Sequence, residues 1–291
     1  MPELPEVETT ISDLKKEVLG RKILDCLAET KKIIKKPKDF DFFRKEIKGA
    51  KIEKIWRRGK NIIFELSNKK IILVHLKLTG HFLVGKWEKE KGKWIVKEGH
   101  EALKDPMNRF LRVIFYLDDG RQLALSDLRK FAKIEILNKE ELEKEISKLG
   151  PEPLEKNFTY ETFKTIIKKV KKGPIKKILM DQTKIAGIGN IYSDEILWES
   201  KVHPMEDVKK LKEEDLKKIF KAIKKILKKG VESGGESISD FRRITGEKGN
   251  FDPERKVYKR ENESCFRCKN KIKRIKIGGR SSYFCPVCQK K

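Results

Sequence analysis

Four of the five cysteines in the chain stand in two pairs near its C-terminus. Cys265 and Cys268 are separated by two residues, sixteen residues follow, and Cys285 and Cys288 are again separated by two. A two-residue gap lets both thiolates of a pair face one metal ion, and two pairs supply the tetrahedral sulfur set that suits Zn²⁺. Four thiolates leave no position for water or substrate. The spacing therefore predicts one structural zinc ion with no catalytic role.

The residues between the cysteine pairs predict a β-hairpin from about Lys271 to Phe284, with Gly278-Gly279 in its turn. Its basic residues are Lys271, Lys273, Arg274, Lys276 and Arg280. Such a hairpin suits a groove that holds phosphates, and contact with another protein is the alternative.

A second candidate for chemistry is the N-terminus, where Met1 is followed by Pro2, Glu3 and, three residues later, Glu6. Removal of Met1 would expose the secondary amine of Pro2. An α-amino group has a reference pKa of about 8, so a useful fraction is neutral at about pH 7. Such an amine can attack C1′ of a sugar to form an iminium, which acidifies the C2′ proton. Glu3 and Glu6 would transfer protons or anchor the sugar. Alternatively, the segment is only a favourable helix start, with acids at the positive end of the dipole.

The charge balance points to a polyanionic partner. The chain of 291 residues has 71 Lys plus Arg against 45 Asp plus Glu, a formal net charge of +26. A surface rich in Lys and Glu, as in thermophiles, explains many charged residues but not their imbalance. Nucleic acid is therefore favoured over general basicity and over an anionic membrane surface. No signal peptide and no apolar run of about 20 residues is evident, so we expect a cytoplasmic protein.

Periodicity predicts an α+β protein of two domains. Val7, Ile11, Leu14 and Val18 recur at helical spacing. Short β-branched segments then predict six strands of a sandwich or barrel: Lys51–Trp56, Asn61–Leu66, Lys70–Leu76, Phe110–Leu117, Arg121–Leu125 and Phe131–Leu137. The charged stretch Lys86–Asn108 is expected to be an exposed loop or a loose hairpin.

Later segments predict helices and a zinc finger. An interruption at Leu149–Pro153 precedes amphipathic helical sequence from Val208 to Gly230. Val231–Asn250 contains several glycines and is expected to be a mobile loop, a candidate lid beside a site. The predicted organisation is a β-sandwich domain over 1–138, a linker over 139–153, a helical domain over 154–250 and a zinc finger over 251–291.

Three long segments resemble the formamidopyrimidine-DNA glycosylase family. They are Pro2–Thr9, Asp181–Tyr192, which is similar to that family's helix–two-turn–helix motif, and Gly279–Pro286, which is similar to its zinc-finger hairpin. Leu149–Leu154 matches the family's interdomain joint. The resemblance implies a single-chain enzyme that binds damaged double-stranded DNA and carries one Zn²⁺. It also implies excision of an oxidised purine, followed by β,δ-elimination at the abasic site through a Schiff base.

The resemblance further implies roles for single residues. Pro2 resembles the nucleophile, Glu3 the general acid and Glu6 a supporting residue. The positions that resemble phosphate contacts are Lys60 of the catalytic hairpin, His75, Asn190 and Arg280. Taken alone, His75 would more often be a core histidine.

Other positions resemble side chains that fill the gap left by a flipped base. These are Leu78, Arg129 and Phe131, of which Arg129 would also contact the orphaned partner base. Leu78 replaces the family's Met, Leu128 its Pro and Ala132 its Gly, which bears on the shape of the Arg129 loop. Asn108-Arg109-Phe110 also departs from the family pattern, within a longer than usual Lys86–Asn108 stretch.

Two alternatives remain open at this point. The chain could belong nearer to the endonuclease VIII branch, which prefers oxidised pyrimidines. It could also be a non-catalytic zinc-ribbon protein that binds nucleic acid. The Leu4-Pro5 dipeptide and the Gly-Pro-Glu-Pro joint favour the purine branch. We therefore expect a cytoplasmic, nucleoid-associated repair enzyme.

Overall fold

The computed structural model describes residues 1–237 and 240–291, which form two compact units. The first unit comprises Met1–Ser147 and Ser233–Asp252, and the second comprises Lys148–Glu232 and Pro253–Lys291. We call Ser233–Asp252 the return segment, because the chain comes back to the first unit there. This division differs from the predicted one at two places. Residues 139–147, expected in a linker, belong to the first unit. Residues 233–250, expected at the end of the helical domain, belong to the first unit as well. Residues 238 and 239 of the expected lid lie outside the described part of the chain.

As far as the structure describes it, the first unit combines three α-helices with two sheets. The helices are α1 (Leu4–Glu17), α2 (Phe40–Ile47) and α3 (Lys139–Ile146). The strands are β1 (Ile23–Ala28), β2 (Ile34–Lys36), β3 (Ile52–Arg58), β4 (Asn61–Leu66), β5 (Ile71–His75), β6 (His81–Glu90), β7 (Lys93–Glu98), β8 (Leu111–Leu117), β9 (Gln122–Ser126) and β10 (Lys133–Leu137). Within the described residues they form two five-stranded sheets, ordered β1-β8-β9-β6-β7 and β2-β10-β5-β4-β3.

The apolar face of α1 belongs to the core shared by both sheets. Val7, Ile11, Leu14 and Val18 are at most 2% exposed and pack with residues from both sheets. The helical spacing of these four residues therefore buries one stripe of α1, as the sequence predicted. The helix also contacts β3 and β4, which places its N-terminus in the same unit as the β3–β4 hairpin.

The ends of three neighbouring strands lie side by side at one end of the second sheet. Asn61, at the start of β4, pairs with His75, at the end of β5. Lys133, at the start of β10, pairs with the same histidine from the other side. The turns that precede or follow these residues therefore lie close together, and they contain four predicted site residues: Lys60, Leu78, Arg129 and Phe131.

The second unit is helical and ends in a small hairpin. Its elements are α4 (Tyr160–Lys168), α5 (Ile175–Leu179), α6 (Asn190–Ser200), α7 (Glu213–Glu232), β11 (Lys273–Ile277) and β12 (Arg280–Phe284). Helix α6 packs against α5, α7 and β12. The predicted α+β class, the zinc-region hairpin and its Gly278-Gly279 turn are confirmed. Among the described residues, no helix combines the length and apolar character needed to cross a membrane.

The interdomain joint requires glycine at one position. Gly150 donates its N–H to the carbonyl of Gln182 at 2.8 Å. A Cβ at residue 150 would lie 2.4 Å from the backbone of Lys184, which is closer than atoms approach without displacement. The Gly-Pro pair therefore marks a close backbone contact with the turn that connects α5 and α6.

Candidate active site

The N-terminus of α1 brings two acidic side chains into a buried environment beside Pro2. Glu3 and Glu6 are each 1% exposed. Glu6 Oε2 accepts a hydrogen bond from the Glu3 N–H at 2.6 Å, and Glu6 Oε1 accepts one from the Glu236 N–H at 2.9 Å. Both oxygens of Glu6 therefore bind backbone donors. This geometry suits the predicted supporting role of Glu6, since it fixes the backbone that carries Pro2 and Glu3.

The turn between β3 and β4 presents Lys60 at the sheet edge. Lys60 is 6% exposed. Arg57 fastens the turn, because its guanidinium donates to the Gly59 carbonyl at 3.0 Å and to Glu8 Oε2 at 2.6 Å. Glu8 lies on α1, so the hairpin and the helix that carries Pro2 are tied by an ion pair. The predicted catalytic lysine thus lies in a turn whose position is set from α1.

His75 is a neutral hydrogen-bond donor at the same edge. Burial, reinforced by the charges of Lys77 and Lys60, lowers the pKa of His75 to about 3. Its Nδ1 accepts from the Lys77 N–H at 3.0 Å, so the proton of the neutral ring resides on Nε2. A neutral Nε2–H can donate to a phosphate oxygen without the cost of burying a charge.

The predicted gap-filling residues lie on two neighbouring turns. Leu78 follows β5 and is half-buried, whereas Arg129 and Phe131 precede β10 and are exposed. The Arg129 guanidinium carbon lies 4.9 Å from the centroid of the Phe131 ring, within cation–π distance. An exposed aromatic ring under an arginine is a suitable surface for contacting unstacked bases.

Asp127, for which the sequence predicted no role, holds the loop that carries these side chains. Its side chain is fully buried. Oδ2 accepts from the N–H groups of Phe131 at 2.7 Å and Ala132 at 2.8 Å, and Oδ1 accepts from the Arg129 N–H at 3.2 Å. The Thr79 hydroxyl donates to the same carboxylate, which links the loop to the turn after β5. A buried Asp just before a short exposed loop is the signal that could have identified it.

In the second unit, Asn190 and the zinc hairpin are joined by hydrogen bonds. Asn190, the first residue of α6, donates from Nδ2 to the Ser281 carbonyl at 3.1 Å. Asp194, one turn later, accepts from the Ser282 hydroxyl at 2.7 Å and from the Tyr283 N–H at 3.0 Å. These contacts place Arg280, which is exposed at the start of β12, beside the N-terminus of α6.

A basic cavity adjoins this position. Its volume of about 460 Å³ is ample for a small anionic group, and its lining includes Lys172, Lys177 and Arg280. Unlike these three side chains, the buried Lys176 does not offer its ammonium group to a ligand, because its Nζ donates to Asp194 Oδ1 at 2.6 Å. Lys172 and Lys177 were not predicted from the sequence, since isolated lysines in a lysine-rich chain carry no distinguishing pattern.

The four cysteines of the second unit converge. Their sulfur atoms all lie within 4.8 Å of one another, and Cys265 and Cys285 are fully buried. Sulfurs bound tetrahedrally to Zn²⁺ are about 3.8 Å apart, so small adjustments of the thiolates would complete the sphere. The residues present therefore fit one structural zinc ion and leave no ligand position for a substrate.

Comparison with known proteins identifies the family. Domain models described as the formamidopyrimidine-DNA glycosylase N-terminal domain, the formamidopyrimidine-DNA glycosylase H2TH domain and the zinc finger found in FPG and IleRS match residues 1–134, 149–242 and 262–291. The chain belongs to the formamidopyrimidine-DNA glycosylase family. It is therefore a DNA glycosylase that also acts as an abasic-site lyase, and its predicted family, enzyme class and structural zinc are confirmed.

Relatives of this glycosylase match over their full length. The formamidopyrimidine-DNA glycosylase of Pelotomaculum thermopropionicum is 38% identical over 100% of this chain and 99% of its own, and that of Streptococcus pneumoniae is 36% identical over 100% of both. The Lactococcus lactis FPG in complex with DNA containing Fapy-dG has a TM-score of 0.84 at 32% identity, covering 99% of this chain and 100% of its own. MutM in complex with DNA containing carbocyclic 8-oxo-G has a TM-score of 0.84 at 32% identity, over 100% of both chains.

Proposed function

We propose that this glycosylase excises oxidised purines from duplex DNA and then cleaves the strand at the abasic site through the amine of Pro2. The observation that carries the proposal is the geometry at the start of α1. Glu6 uses both carboxylate oxygens to hold backbone N–H groups, and Glu3 is buried beside Pro2. A prospective nucleophile and a prospective acid are thus adjacent and fixed, as covalent catalysis requires.

In the first half of the reaction, the amine of Pro2 takes the place of the base on C1′ of the sugar. After removal of Met1, the Pro2 nitrogen attacks C1′, the bond from C1′ to the base breaks, and the departing base takes its electron pair and a proton. Glu3 is the proposed proton donor to the opening sugar. Loss of the ring oxygen bond to C1′ leaves an iminium between Pro2 and the sugar. The positive charge on nitrogen makes the C2′ proton acidic.

The second half is elimination. Removal of the C2′ proton expels the 3′ phosphate, and a further proton loss expels the 5′ phosphate, so both strand ends retain phosphate. Water then hydrolyses the iminium and frees Pro2. Lys60 and His75 are proposed to hold phosphates on the lesion strand, while Asn190 and Arg280 are proposed to hold phosphates from the second unit. Leu78, Arg129 and Phe131 are proposed to occupy the gap left by the base.

The relatives favour purine lesions over oxidised pyrimidines as substrates. The Lactococcus lactis complex contains Fapy-dG, and the MutM complex contains 8-oxo-G, both derived from guanine. A non-catalytic nucleic-acid-binding protein is disfavoured, because the matches include the N-terminal domain and not the zinc finger alone. We propose that the enzyme acts as a single chain on damaged double-stranded DNA in the cytoplasm, in association with the nucleoid.

Borohydride trapping tests the proposal. Borohydride reduces the iminium to a stable amine, so wild type incubated with an abasic duplex should give a covalent protein–DNA adduct. The protein part of this adduct should have the mass of the chain lacking Met1. Pro2→Gln should retain Met1 and lose the adduct, because a large second residue blocks removal of the methionine. Pro5→Ala is the matched control, since it changes a proline of the same helix turn and leaves the amine intact. Absence of a wild-type adduct, or an adduct on a residue other than Pro2, would refute the mechanism.

A further inference from the structure

Helix α7 of the second unit carries a continuous basic surface. Residues 217–229 contain seven lysines and no acidic residue. Leu216, Ile219, Ile223 and Leu227 of the same helix are buried, and the helix packs against α4 and α6. The lysines therefore lie on the side of α7 that faces away from its neighbours. A lysine face is often only solvated, so its ion pairs decide whether its charge is available to a partner.

Three of the seven lysines are paired with acids of the second unit. Lys218, Lys225 and Lys229 lie within about 40° of one another around the helix axis, and we call them the paired stripe. Their partners are Glu214 at 2.6 Å, Glu199 at 2.5 Å and Glu254 at 2.6 Å, respectively. The charge of the paired stripe is thus compensated within the protein.

The other four lysines form what we call the open stripe: Lys217, Lys221, Lys224 and Lys228. They lie within about 60° of one another and about 90° from the paired stripe. Lys228 is 3.7 Å from Glu232, but the two side chains are 75% and 62% exposed, so this ion pair is weak. In the part of the chain that the structure describes, no carboxylate lies within ion-pairing distance of the other three.

Uncharged groups orient two members of the open stripe without neutralising them. Lys217 Nζ lies 6.0 Å from the ring centroid of Tyr160, and Lys224 Nζ lies 5.3 Å from that of Phe158. Lys224 also donates to the Glu155 carbonyl at 3.0 Å. Burial lowers the pKa of Lys224, so an anion that replaced the lost water would stabilise its charged form.

The open stripe fits a regular polyanion. From Lys217 to Lys228 the helix rises about 16 Å, which is the length of about five nucleotides along one strand of duplex DNA. Glu213, at the start of α7, pairs with Lys164 of α4 at 2.8 Å, so another cation compensates that carboxylate. Because α7 packs against α6 through its apolar side, the open stripe points away from the helix that begins with Asn190.

We propose that the open stripe of α7 binds a second segment of duplex DNA while a damaged duplex occupies the active site. The contacts are to phosphates, so this second site reads no base sequence. An enzyme that holds two segments at once can pass from one to the other without release into solvent, which assists a search for rare lesions. The inference requires DNA binding but no chemistry at Pro2.

Energy transfer between two labelled duplexes tests this inference. A short donor-labelled duplex with an uncleavable abasic analogue fills the active site, and an acceptor-labelled undamaged duplex is then added at low salt. Wild type should give energy transfer, in a complex whose mass corresponds to one protein chain and two duplexes. The anisotropy of the donor duplex reports separately on binding at the active site.

The decisive variant is Lys217→Gln/Lys221→Gln/Lys228→Gln, which leaves Lys224 in place because its side chain packs on Phe158. It should weaken binding of the second duplex about tenfold or more and lower the salt slope of that binding by about three units. The matched control replaces the three lysines of the paired stripe by Gln. It removes the same charge from the same helix and should keep the affinity for the second duplex within about twofold. Both variants should bind the donor duplex as wild type does.

Four results would overturn the inference. Equal losses in the two triple variants would show a general effect of net charge, and no energy transfer in wild type would show that there is no second site. Energy transfer only from complexes with two protein chains would show dimers. Displacement of the acceptor duplex by poly-glutamate as effectively, charge for charge, as by undamaged DNA would indicate an acidic protein partner.

Discussion

Replacing Asp127 should release the loop that carries Arg129 and Phe131. In Asp127→Ala, three backbone N–H groups and the Thr79 hydroxyl lose one shared carboxylate. Hydrogen bonds to a charged acceptor are each worth about 1.5–3 kcal/mol, but two of the three backbone donors belong to the exposed residues Arg129 and Phe131 and can regain water in the variant. We therefore take a reduced value, about 1 kcal/mol for each of the three backbone donors, and expect a destabilisation of about 3 kcal/mol.

The functional consequence should be larger than the loss of stability alone suggests, since misplacement of reacting or positioning groups by about 1 Å can cost on the order of 100-fold in rate. The assay is single-turnover excision from an oxidised-purine duplex, together with the fluorescence of 2-aminopurine placed opposite the lesion, which rises when the pair is opened and the gap is filled. Asp127→Ala should lose both signals.

Asp127→Asn keeps one acceptor oxygen and should fall between wild type and Asp127→Ala in both stability and excision. Asp118→Ala, in the β8–β9 turn, is the control, because its carboxylate lies 3.9 Å from Arg21, outside the loop that Asp127 holds. Wild-type stability and a wild-type 2-aminopurine signal in Asp127→Ala would refute the assignment of Asp127 as the residue that holds the loop.

Further expected outcomes concern the acid, the phosphate contacts and a buried histidine. Glu3→Gln should slow base excision by about 100-fold or more, measured in single turnover; an unchanged rate would remove Glu3 as the acid. Arg280→Ala should weaken binding to all duplexes and lower the salt slope by about one unit, whereas Arg274→Ala, already paired with Glu261, should change it less. Burial lowers the pKa of His81 to about 4. The contribution of this neutral histidine to the stability of the fold is therefore full above about pH 6.5 and is lost as the pH falls through the lowered pKa, by up to about 3 kcal/mol. Denaturant titrations of wild type and His81→Gln should therefore converge at low pH.

Local patterns in the sequence predicted much of this fold. The helical stripe of α1 and the strands β3, β4, β5, β8, β9 and β10 were anticipated within a few residues, because alternation and turn residues are local signals. The stretch Lys86–Asn108, expected as a loop or loose hairpin, contains most of the β6–β7 hairpin and leads into two 3₁₀ turns, Glu101–Lys104 and Pro106–Arg109. Strands β1 and β2 were not assigned. Strand β2 has three residues and pairs in parallel with β10, a strand far away in the sequence, and such a contact leaves no local pattern.

Long-range contacts also explain why the return segment was assigned to the helical domain. Its attachment to the first unit depends on pairs such as Arg243 with Asp13, at 2.7 Å, and Glu236 with Glu6, which are 230 residues apart in each case. By contrast, all four zinc ligands were identified from the sequence, because the two cysteines of each pair are separated by only two residues. Residues that bind through short motifs were thus visible, whereas Asp13 and Asp194, which hold segments far away in the sequence, carried no local signal.

Several loops of this protein depend on one physical device, a buried carboxylate that accepts backbone N–H groups from the loop. Glu6 holds the return segment, Asp127 the Arg129 loop, and Asp194 the hairpin that presents Arg280. Glu195 accepts from three consecutive N–H groups at 2.8–3.0 Å where the chain leaves the return segment for the zinc finger. Burial raises the pKa of Glu195, and the three donors oppose that shift because they favour the charged form. A chain with a net charge of +26 therefore uses buried acids to fix loops that carry exposed cations such as Arg129 and Arg280, so the positions of those cations depend on carboxylates inside the fold.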